Sequence, residues 1–131
     1  MLGMWGWFVA IRCWTVFFSM SHLISLHYQD YYYRLEQKGQ NALVLFSSSR
    51  CGTCRAWKKK IERTSWNIKI FEVDVTAAQG LVEELSIHVL PTFVLYKEGS
   101  FHRFFSPDMR LSIEQQVMEA LSLPQQEDPT C

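Results

Sequence analysis

The chain has 131 residues, and its thirteen lysines and arginines balance thirteen aspartates and glutamates. This length fits one domain and is sufficient to bury a single hydrophobic core without help from metals or disulfides. The balanced charge gives no electrostatic reason to expect nucleic acid or an acidic membrane surface as a partner. The four cysteines do not make a disulfide framework, because two of them form a close pair.

Residues 1–19 form an apolar segment that is interrupted by Arg12. A transmembrane helix with an arginine near its centre costs about 2.5–3.5 kcal/mol to insert. A cleavable signal normally has a basic stretch before the apolar one and a small-residue cleavage site, and this segment has neither in clear form. Three interpretations stay open: a start-site artefact with Met20 as the true initiator, a signal or membrane anchor, and a part of the fold.

From Met20 onward the pattern predicts strands and helices in alternation. Residues 22–26 alternate weakly and suit a short edge strand. Residues 30–38 have helical spacing with Gly39 as the C-cap, and this helix should bury one or two of its three consecutive tyrosines and expose the other. Residues 42–47 are predicted to form a central strand, because four consecutive apolar residues suit a position that is covered on both faces.

A close pair of cysteines follows this strand in the stretch Cys51-Gly52-Thr53-Cys54, here called the cysteine motif. The next residues favour a helix that runs to about Arg63, so Cys51 is expected at the helix N-terminus. Partial positive charge at that end stabilises a thiolate, which is the reactive form of cysteine. A structural zinc site is the alternative, but it needs four ligands, usually from two such pairs, and the other two cysteines are isolated near the termini. The motif therefore predicts redox chemistry.

Basic residues flank the cysteine motif and continue along the predicted helix. Arg50 and Arg55 are expected to favour the thiolate further, to the extent that solvent does not screen them. The run Lys58-Lys59-Lys60 has two interpretations. It is either a docking patch for an acidic partner or, as is usual for a charge run on a helix, a solvated face.

The second half of the chain begins with the clearest strand, residues 67–75. A strand that returns after a helix makes a βαβ unit with a parallel pair. Thr76 is expected to cap the following helix. An apolar run then enters through Pro91, which should take the first strand position because proline cannot donate to a ladder, and the nearby His88 is expected to be a solvated loop residue.

Residues 97–100 predict a hairpin turn that leads into an antiparallel strand over residues 101–105. Ser112 is placed to begin a capping box at the start of a last helix. The tail, residues 124–131, is polar and contains proline, and it is expected to be flexible.

This order of elements, with the cysteine motif after the second strand, resembles the thioredoxin family over about residues 23–123. The segments that carry the resemblance are Ala42-Leu43-Val44-Leu45-Phe46, Cys51-Gly52-Thr53-Cys54, Val73-Asp74-Val75 and Val89-Leu90-Pro91-Thr92-Phe93. The resemblance implies an α/β thioredoxin fold, with a central mixed β-sheet flanked by helices. It also implies a domain over residues 20–123, with residues 1–19 and 124–131 outside it.

The resemblance further implies the activity of a protein thiol–disulfide oxidoreductase, acting mainly as a reductase. Cys51 is then the nucleophile and Cys54 the resolving thiol. The implied substrate-binding residues are Gly52, which permits a close approach of the backbone in the turn, Thr53, which shapes the exposed rim, and Leu90, Pro91 and Thr92, with a cis bond between Leu90 and Pro91. The implied partners are protein disulfides and an electron donor such as a thioredoxin reductase, with no metal or organic cofactor. The implied location is the cytoplasm, or a membrane or export route through residues 1–19.

The chain departs from the family pattern beside the cysteine motif. Leu45 stands where general reductases of the family have a buried carboxylate, so Cys54 is expected to lack an internal base. Ser47 and Arg50 replace two tryptophans, Thr53 replaces the motif proline, and Lys59 replaces the proline that bends the helix. These departures leave two other interpretations open: a thioredoxin-fold binding module with an incidental cysteine pair, and an exchange protein that works outside the cytoplasm.

Overall fold

The structure is a computed structural model that describes residues 23–64, 68–127 and 129. Residues 1–22 lie outside this part, so the interpretations of the apolar N-terminal segment are not addressed by it. Within the described ranges, strands and α-helices alternate in the predicted order. They are β1 (Leu23–Ser25), α1 (Tyr31–Leu35), β2 (Ala42–Ser47), α2 (Gly52–Glu62), β3 (Lys69–Asp74), α3 (Gln79–Glu84), β4 (Thr92–Lys97), β5 (Ser100–Phe105) and α4 (Ile113–Ser122).

The strands form one five-stranded mixed sheet in the order β1-β3-β2-β4-β5. Strands β1, β3 and β2 are parallel, whereas β4 is antiparallel to β2 and β5 is antiparallel to β4. All residues of β2 are buried, because strands flank it on both sides and helices cover both of its faces. The predicted central mixed sheet flanked by helices is confirmed.

Alternate residues of β2 face two separate hydrophobic layers. Val44 and Phe46 pack in the layer that includes α1 and α3, whereas Leu43 and Leu45 pack in the layer that includes Trp57 of α2 and Val117 of α4. In α1, Tyr31 is fully buried and Tyr33 is 75% exposed, which confirms the expected division among the three tyrosines. The two layers hold α2 and α4 on one face of the sheet and α1 and α3 on the other.

Three chain segments meet at one edge of the sheet. Ser47 at the end of β2 is in register with Asp74 at the end of β3. Thr92 at the start of β4 pairs with Phe46. The segments that follow β2 and β3 and the segment that precedes β4 therefore lie side by side, and the first and last of these carry Cys51 and Pro91.

Helix α1 is shorter than predicted. It ends at Leu35, and Gly39, expected to be its C-cap, instead takes a left-handed conformation (φ 76°) in a later turn. Side-chain amides account for the early end, since Gln37 Nε2 donates to Tyr33 O and Gln40 Nε2 donates to Arg34 O. These bonds satisfy carbonyls that a longer helix would otherwise use.

Two predicted caps are wrong in detail. Thr76 does not cap α3, because it lies in a short 3₁₀ helix, Val75–Ala77, where its backbone N–H donates to Asp74 Oδ1 at 3.0 Å. Ser112 occupies the N-cap position of α4, as predicted, but its side chain makes no cap hydrogen bond. Short polar side chains compete for nearby backbone groups in several ways, so sequence alone does not decide which group they bind.

The chain after α4 makes hydrogen bonds back to the sheet. Gln126 N–H donates to His102 O at 2.8 Å, and Phe104 N–H donates to the Gln126 side chain at 2.8 Å. Residues 124–126 therefore lie along the outer strand β5. The expected flexibility of the tail, residues 124–131, stays a prediction.

The predicted hairpin between β4 and β5 is present, and its turn residues Glu98 and Gly99 have positive φ angles of 52° and 86°. These angles suit the tight turns that match the twist of a hairpin. A Cβ on Gly99 would lie 2.6 Å from Gln37 O and 2.9 Å from Gln37 C. Gly99 is therefore required both by its backbone angle and by a backbone neighbour.

Replacing the two positive-φ glycines separates these two requirements. A Cβ on Gly39 would have no neighbour within 4 Å, so Gly39→Ala should cost only the left-handed backbone, about 1–2 kcal/mol. Gly99→Ala should lower the free energy of unfolding by clearly more, because the hairpin or the chain at Gln37 must move. Urea unfolding of both variants measures the difference, and equal losses would contradict the close approach at Gly99.

Candidate active site

Cys51 is the N-cap residue of α2. Its backbone is extended (φ −89°, ψ 107°), and its Sγ accepts a hydrogen bond from the Cys54 backbone N–H at 3.1 Å. Ser, Thr, Asp or Asn usually fills this role with an oxygen. The structure thus confirms the predicted placement of Cys51 at the helix N-terminus, where the aligned peptide dipoles favour negative charge on the sulfur.

The two cysteines are joined in a disulfide, with their Cα atoms 5.2 Å apart. Cys51 is half-buried, whereas Cys54 is completely buried. Solvent therefore reaches part of Cys51 but none of Cys54. The other two cysteines, Cys13 and Cys131, lie outside the described residues.

The second loop at this edge holds Leu90, Pro91 and Thr92, all half-buried. The Leu90–Pro91 peptide bond is cis, as the family resemblance predicts. The Thr92 hydroxyl donates to Val89 O, and the Val89 side chain is 71% exposed. Because Thr92 pairs with Phe46, this loop lies at the edge of the sheet from which the chain continues to the cysteine motif.

Contacts on its inner face hold α2 in place on the sheet. The Trp57 ring meets the Phe93 ring edge-on, with centroids 5.4 Å apart. Lys60 Nζ donates to Leu111 O at 2.8 Å and to Met109 O, and lies 5.8 Å from the Trp57 ring centroid. Since Phe93 belongs to β4, the helix that carries the cysteines and the strand that follows Pro91 share one packed contact.

Gly52 and Thr53, between the cysteines, are both exposed. A Cβ on Gly52 would meet only Arg55 Nη2, at 3.8 Å, and the Gly52 φ angle is not in the left-handed region. The expectation that the turn itself needs glycine for a close backbone approach is therefore wrong. The fold has room for a side chain at this position. His88 is exposed, as predicted.

Leu45 is fully buried, as expected for a central strand residue. Sequence reasoning missed a carboxylate on the neighbouring strand: Glu72 is in register with Leu45 and therefore lies on the same face of the sheet. The Ser47 hydroxyl donates to Glu72 Oε2 at 2.8 Å, and Lys58 Nζ forms an ion pair with the same oxygen. Lys58 lies about one helical turn after Cys54.

This polar cluster could have been suspected from a single signal, an acid inside an otherwise apolar strand. Its neighbour Asp74 accepts hydrogen bonds from the Thr76 hydroxyl and backbone N–H, which hold the pKa of Asp74 below its ordinary value, and Lys58 acts in the same direction. The positive charge of Lys58 thus lies near the carboxylates of Glu72 and Asp74. The expectation that Cys54 lacks an internal base stays a prediction.

Positive charge also surrounds the cysteine motif on the solvent side. Arg50 and Arg55 are exposed, and Arg55 Nη1 folds back to donate to Ser49 O at 3.0 Å. Both arginines are close in sequence to Cys51. The Arg55 side chain also contacts the loop that precedes Cys51. Each arginine adds positive charge to the solvent side of the cysteine motif, next to the helix N-terminus.

In residues 23–64, 68–127 and 129, no group of three or more His, Cys, Asp or Glu side chains is arranged to hold a metal ion. None of the helices in that part of the chain has the length and apolar character needed to cross a membrane.

The sequence of this chain is similar to those of known proteins. The thioredoxin family model matches residues 22–118. Thioredoxin Asp f 28 of Aspergillus fumigatus is 38% identical over 60 residues, covering 44% of this chain but only 56% of that protein. A thioredoxin of Coprinus comatus is 33% identical over 75 residues, covering 53% of this chain and 71% of that protein. The match thus spans little more than half the length of the Aspergillus relative.

Solved structures show the same fold. Thioredoxin f from spinach chloroplast has a TM-score of 0.65 at 18% identity, with 77% of this chain and 95% of that chain covered. A thioredoxin from Nicotiana alata has a TM-score of 0.64 at 20% identity, with 76% and 93% covered. At these identities the likeness is evidence for the fold alone.

Proposed function

Since the chain belongs to the thioredoxin family, whose members are protein-disulfide oxidoreductases, we propose that it exchanges the Cys51–Cys54 pair with disulfides of protein substrates, mainly as a reductase. The observation that carries the proposal is the unequal placement of the two sulfurs. Cys51 caps α2 and is half-buried, whereas Cys54 is completely buried. This is the arrangement that a nucleophile and a resolving thiol require.

The reaction has two exchange steps. The Cys51 thiolate attacks one sulfur of the substrate disulfide, which forms a mixed disulfide and releases the other substrate sulfur as a thiolate. Cys54 then loses its proton and attacks Cys51 Sγ, which forms the Cys51–Cys54 disulfide and releases the second substrate sulfur. Two electrons pass from the protein dithiol to the substrate, and the two released thiolates take up protons from solvent or from Cys54.

The residues around the motif are proposed to bind the substrate. Gly52 and Thr53 present an exposed rim on one side of Cys51. Leu90, Pro91 and Thr92 form the other side, and the backbone of Leu90 is proposed to hold an extended substrate segment. The support for this assignment is topological, since the loop before β4 and the loop after β2 leave the sheet at the same edge.

A reductase needs a donor that restores the dithiol. We propose a reductase of the thioredoxin reductase type as that donor, and the cytoplasm as the location, because a reducing compartment keeps such a pair in the dithiol form. We also propose that residues 20–123 form the working domain and that residues 1–19 and 124–131 flank it. Fractionation of a C-terminally tagged chain tests the alternative of a tether through residues 1–19.

Single cysteine variants test the assigned roles. Reduced protein should cleave the interchain disulfides of insulin, and a chain that cannot do so would be a binding module instead. In Cys54→Ser the first step should proceed and the second should fail, so mixed disulfides through Cys51 accumulate and are visible on a non-reducing gel. Cys51→Ser should trap no partner. If Cys51→Ser is the variant that traps partners, the roles are reversed.

Gly52→Ala tests whether the motif glycine serves the substrate. Alanine should leave the melting temperature unchanged or slightly higher, because it fits the fold and suits a helix better than glycine. The added methyl group should lower kcat/KM for insulin by roughly three- to tenfold, as a small displacement of reacting groups does. The rate with bis(2-hydroxyethyl) disulfide, a small neutral substrate, serves as the control and should stay constant. Equal slowing with both substrates would contradict a role in protein binding.

A further inference from the structure

The basic residues on and just after α2, the helix that carries the cysteine motif, fall into two groups. Lys58 forms an ion pair with Glu72, and Lys60 donates to the carbonyls of Met109 and Leu111. These two side chains have partners within the protein. Their bonds explain part of the lysine run without any external partner.

In the second group, only Arg55 has a side-chain partner among the described residues, the Ser49 carbonyl. Arg55, Lys59 and Arg63 are all exposed, and neither of the ion pairs found among the described residues involves them. Their spacing of four residues places them along one face of the helix. We call these three residues the basic stripe.

The basic stripe has an uneven effect on the helix, because Lys59 in the last turn and Arg63 at the C-cap are favoured by the helix dipole. Like charges four residues apart repel each other on a helix surface. Arg55 also lies in the first turn, where the helix dipole disfavours a positive charge. Because the chain as a whole has no net charge, this local excess of positive charge is not a consequence of composition.

The position of the basic stripe connects it to the cysteine motif. Arg55 directly follows Cys54, and its guanidinium folds back to Ser49 O at 3.0 Å. From Arg55 to Arg63 the stripe extends for about 12 Å at 1.5 Å per residue. An extended segment of about four residues covers that distance at 3.3 Å per residue.

We propose that the basic stripe binds an acidic segment next to the target disulfide of a protein substrate. This inference rests on the proposed function and adds the charge of the substrate to it. Opposite charges across an interface accelerate encounter and exclude partners of the wrong sign. The stripe thereby gives the protein a preference for the charge of its substrate.

Three peptides test whether the protein prefers an acidic segment beside the target disulfide. They share one disulfide-bonded core and differ only in a four-residue flank of glutamate, glutamine or lysine. At low ionic strength, kcat/KM should rank glutamate above glutamine above lysine, with about a tenfold difference between the extremes. In 0.5 M NaCl the difference should fall to about twofold or less, because salt screens exposed charges.

Charge reversal provides the decisive comparison. Lys59→Glu with Arg63→Glu should invert the ranking of the peptides, and Lys59→Gln with Arg63→Gln should abolish it. The matched control is Lys38→Glu with Lys69→Glu, which changes the net charge equally. Both control residues are exposed, and they lie near the starts of β2 and β3, at the end of the sheet away from Cys51. The control should keep the ranking of the unaltered protein.

The neutral substrate bis(2-hydroxyethyl) disulfide separates this inference from the proposed function. If the unaltered protein reduces it, and yet the peptides are not ranked by charge or reversal leaves their ranking unchanged, the basic stripe has no role in substrate choice. Failure to reduce any disulfide would remove the proposed function and the inference with it. Inhibition by a short DNA duplex without a ranking among the peptides would assign the stripe to nucleic acid and overturn the proposal.

Discussion

The arrangement of the site depends on the hydrogen bond from the Cys54 N–H to Cys51 Sγ, which holds the sulfur at the N-terminus of α2. It makes the sulfur of Cys51 the cap of α2, so the proposed nucleophile lies where the helix dipole is positive. The helix must then be held at the end of β2, and the fully buried β2 and the contact between Trp57 and Phe93 hold it there. Burial of Cys54 follows from the same packing, because the inner face of α2 rests on the sheet.

Parallel pairing of β2 with β3 and antiparallel pairing of β2 with β4 bring three loops to one edge of the sheet. The edge therefore combines the sulfur of Cys51, which is the proposed nucleophile, with the loop around Pro91. The two sides of α2 divide the charges between them. Lys58 is paired with Glu72 beneath the helix, whereas the basic stripe faces solvent on the opposite side. The charge of Lys58 is thus paired within the fold, whereas the basic stripe is proposed to bind a substrate.

Much of this arrangement could be predicted from local sequence, since β2 is a continuous apolar run and the cysteine motif comes directly between it and a helix-forming segment. The predictions that failed depend on which neighbour a polar group meets. Thr76 lies in a 3₁₀ helix and does not cap α3, and Ser112 occupies the N-cap position of α4 without a side-chain cap hydrogen bond. Glu72 was missed because only the register between β2 and β3 places it beside Leu45. The role of glycine at position 52 was misjudged because the space around it is set by the folded helix.

The ionisation of Cys51 tests the central claim most directly. In reduced Cys54→Ser protein, the absorbance of the thiolate near 240 nm, followed against pH, reports the Cys51 thiol alone once the thiol of Cys131 and that of Cys13 are replaced by serine. We expect a Cys51 pKa clearly below the ordinary cysteine value of about 8.5, because the helix N-terminus favours the thiolate. The pKa should return to the ordinary value when the protein is unfolded in urea. A Cys51 pKa at or above about 8.5 in the folded protein would contradict the claim that the N-terminus of α2 activates this sulfur.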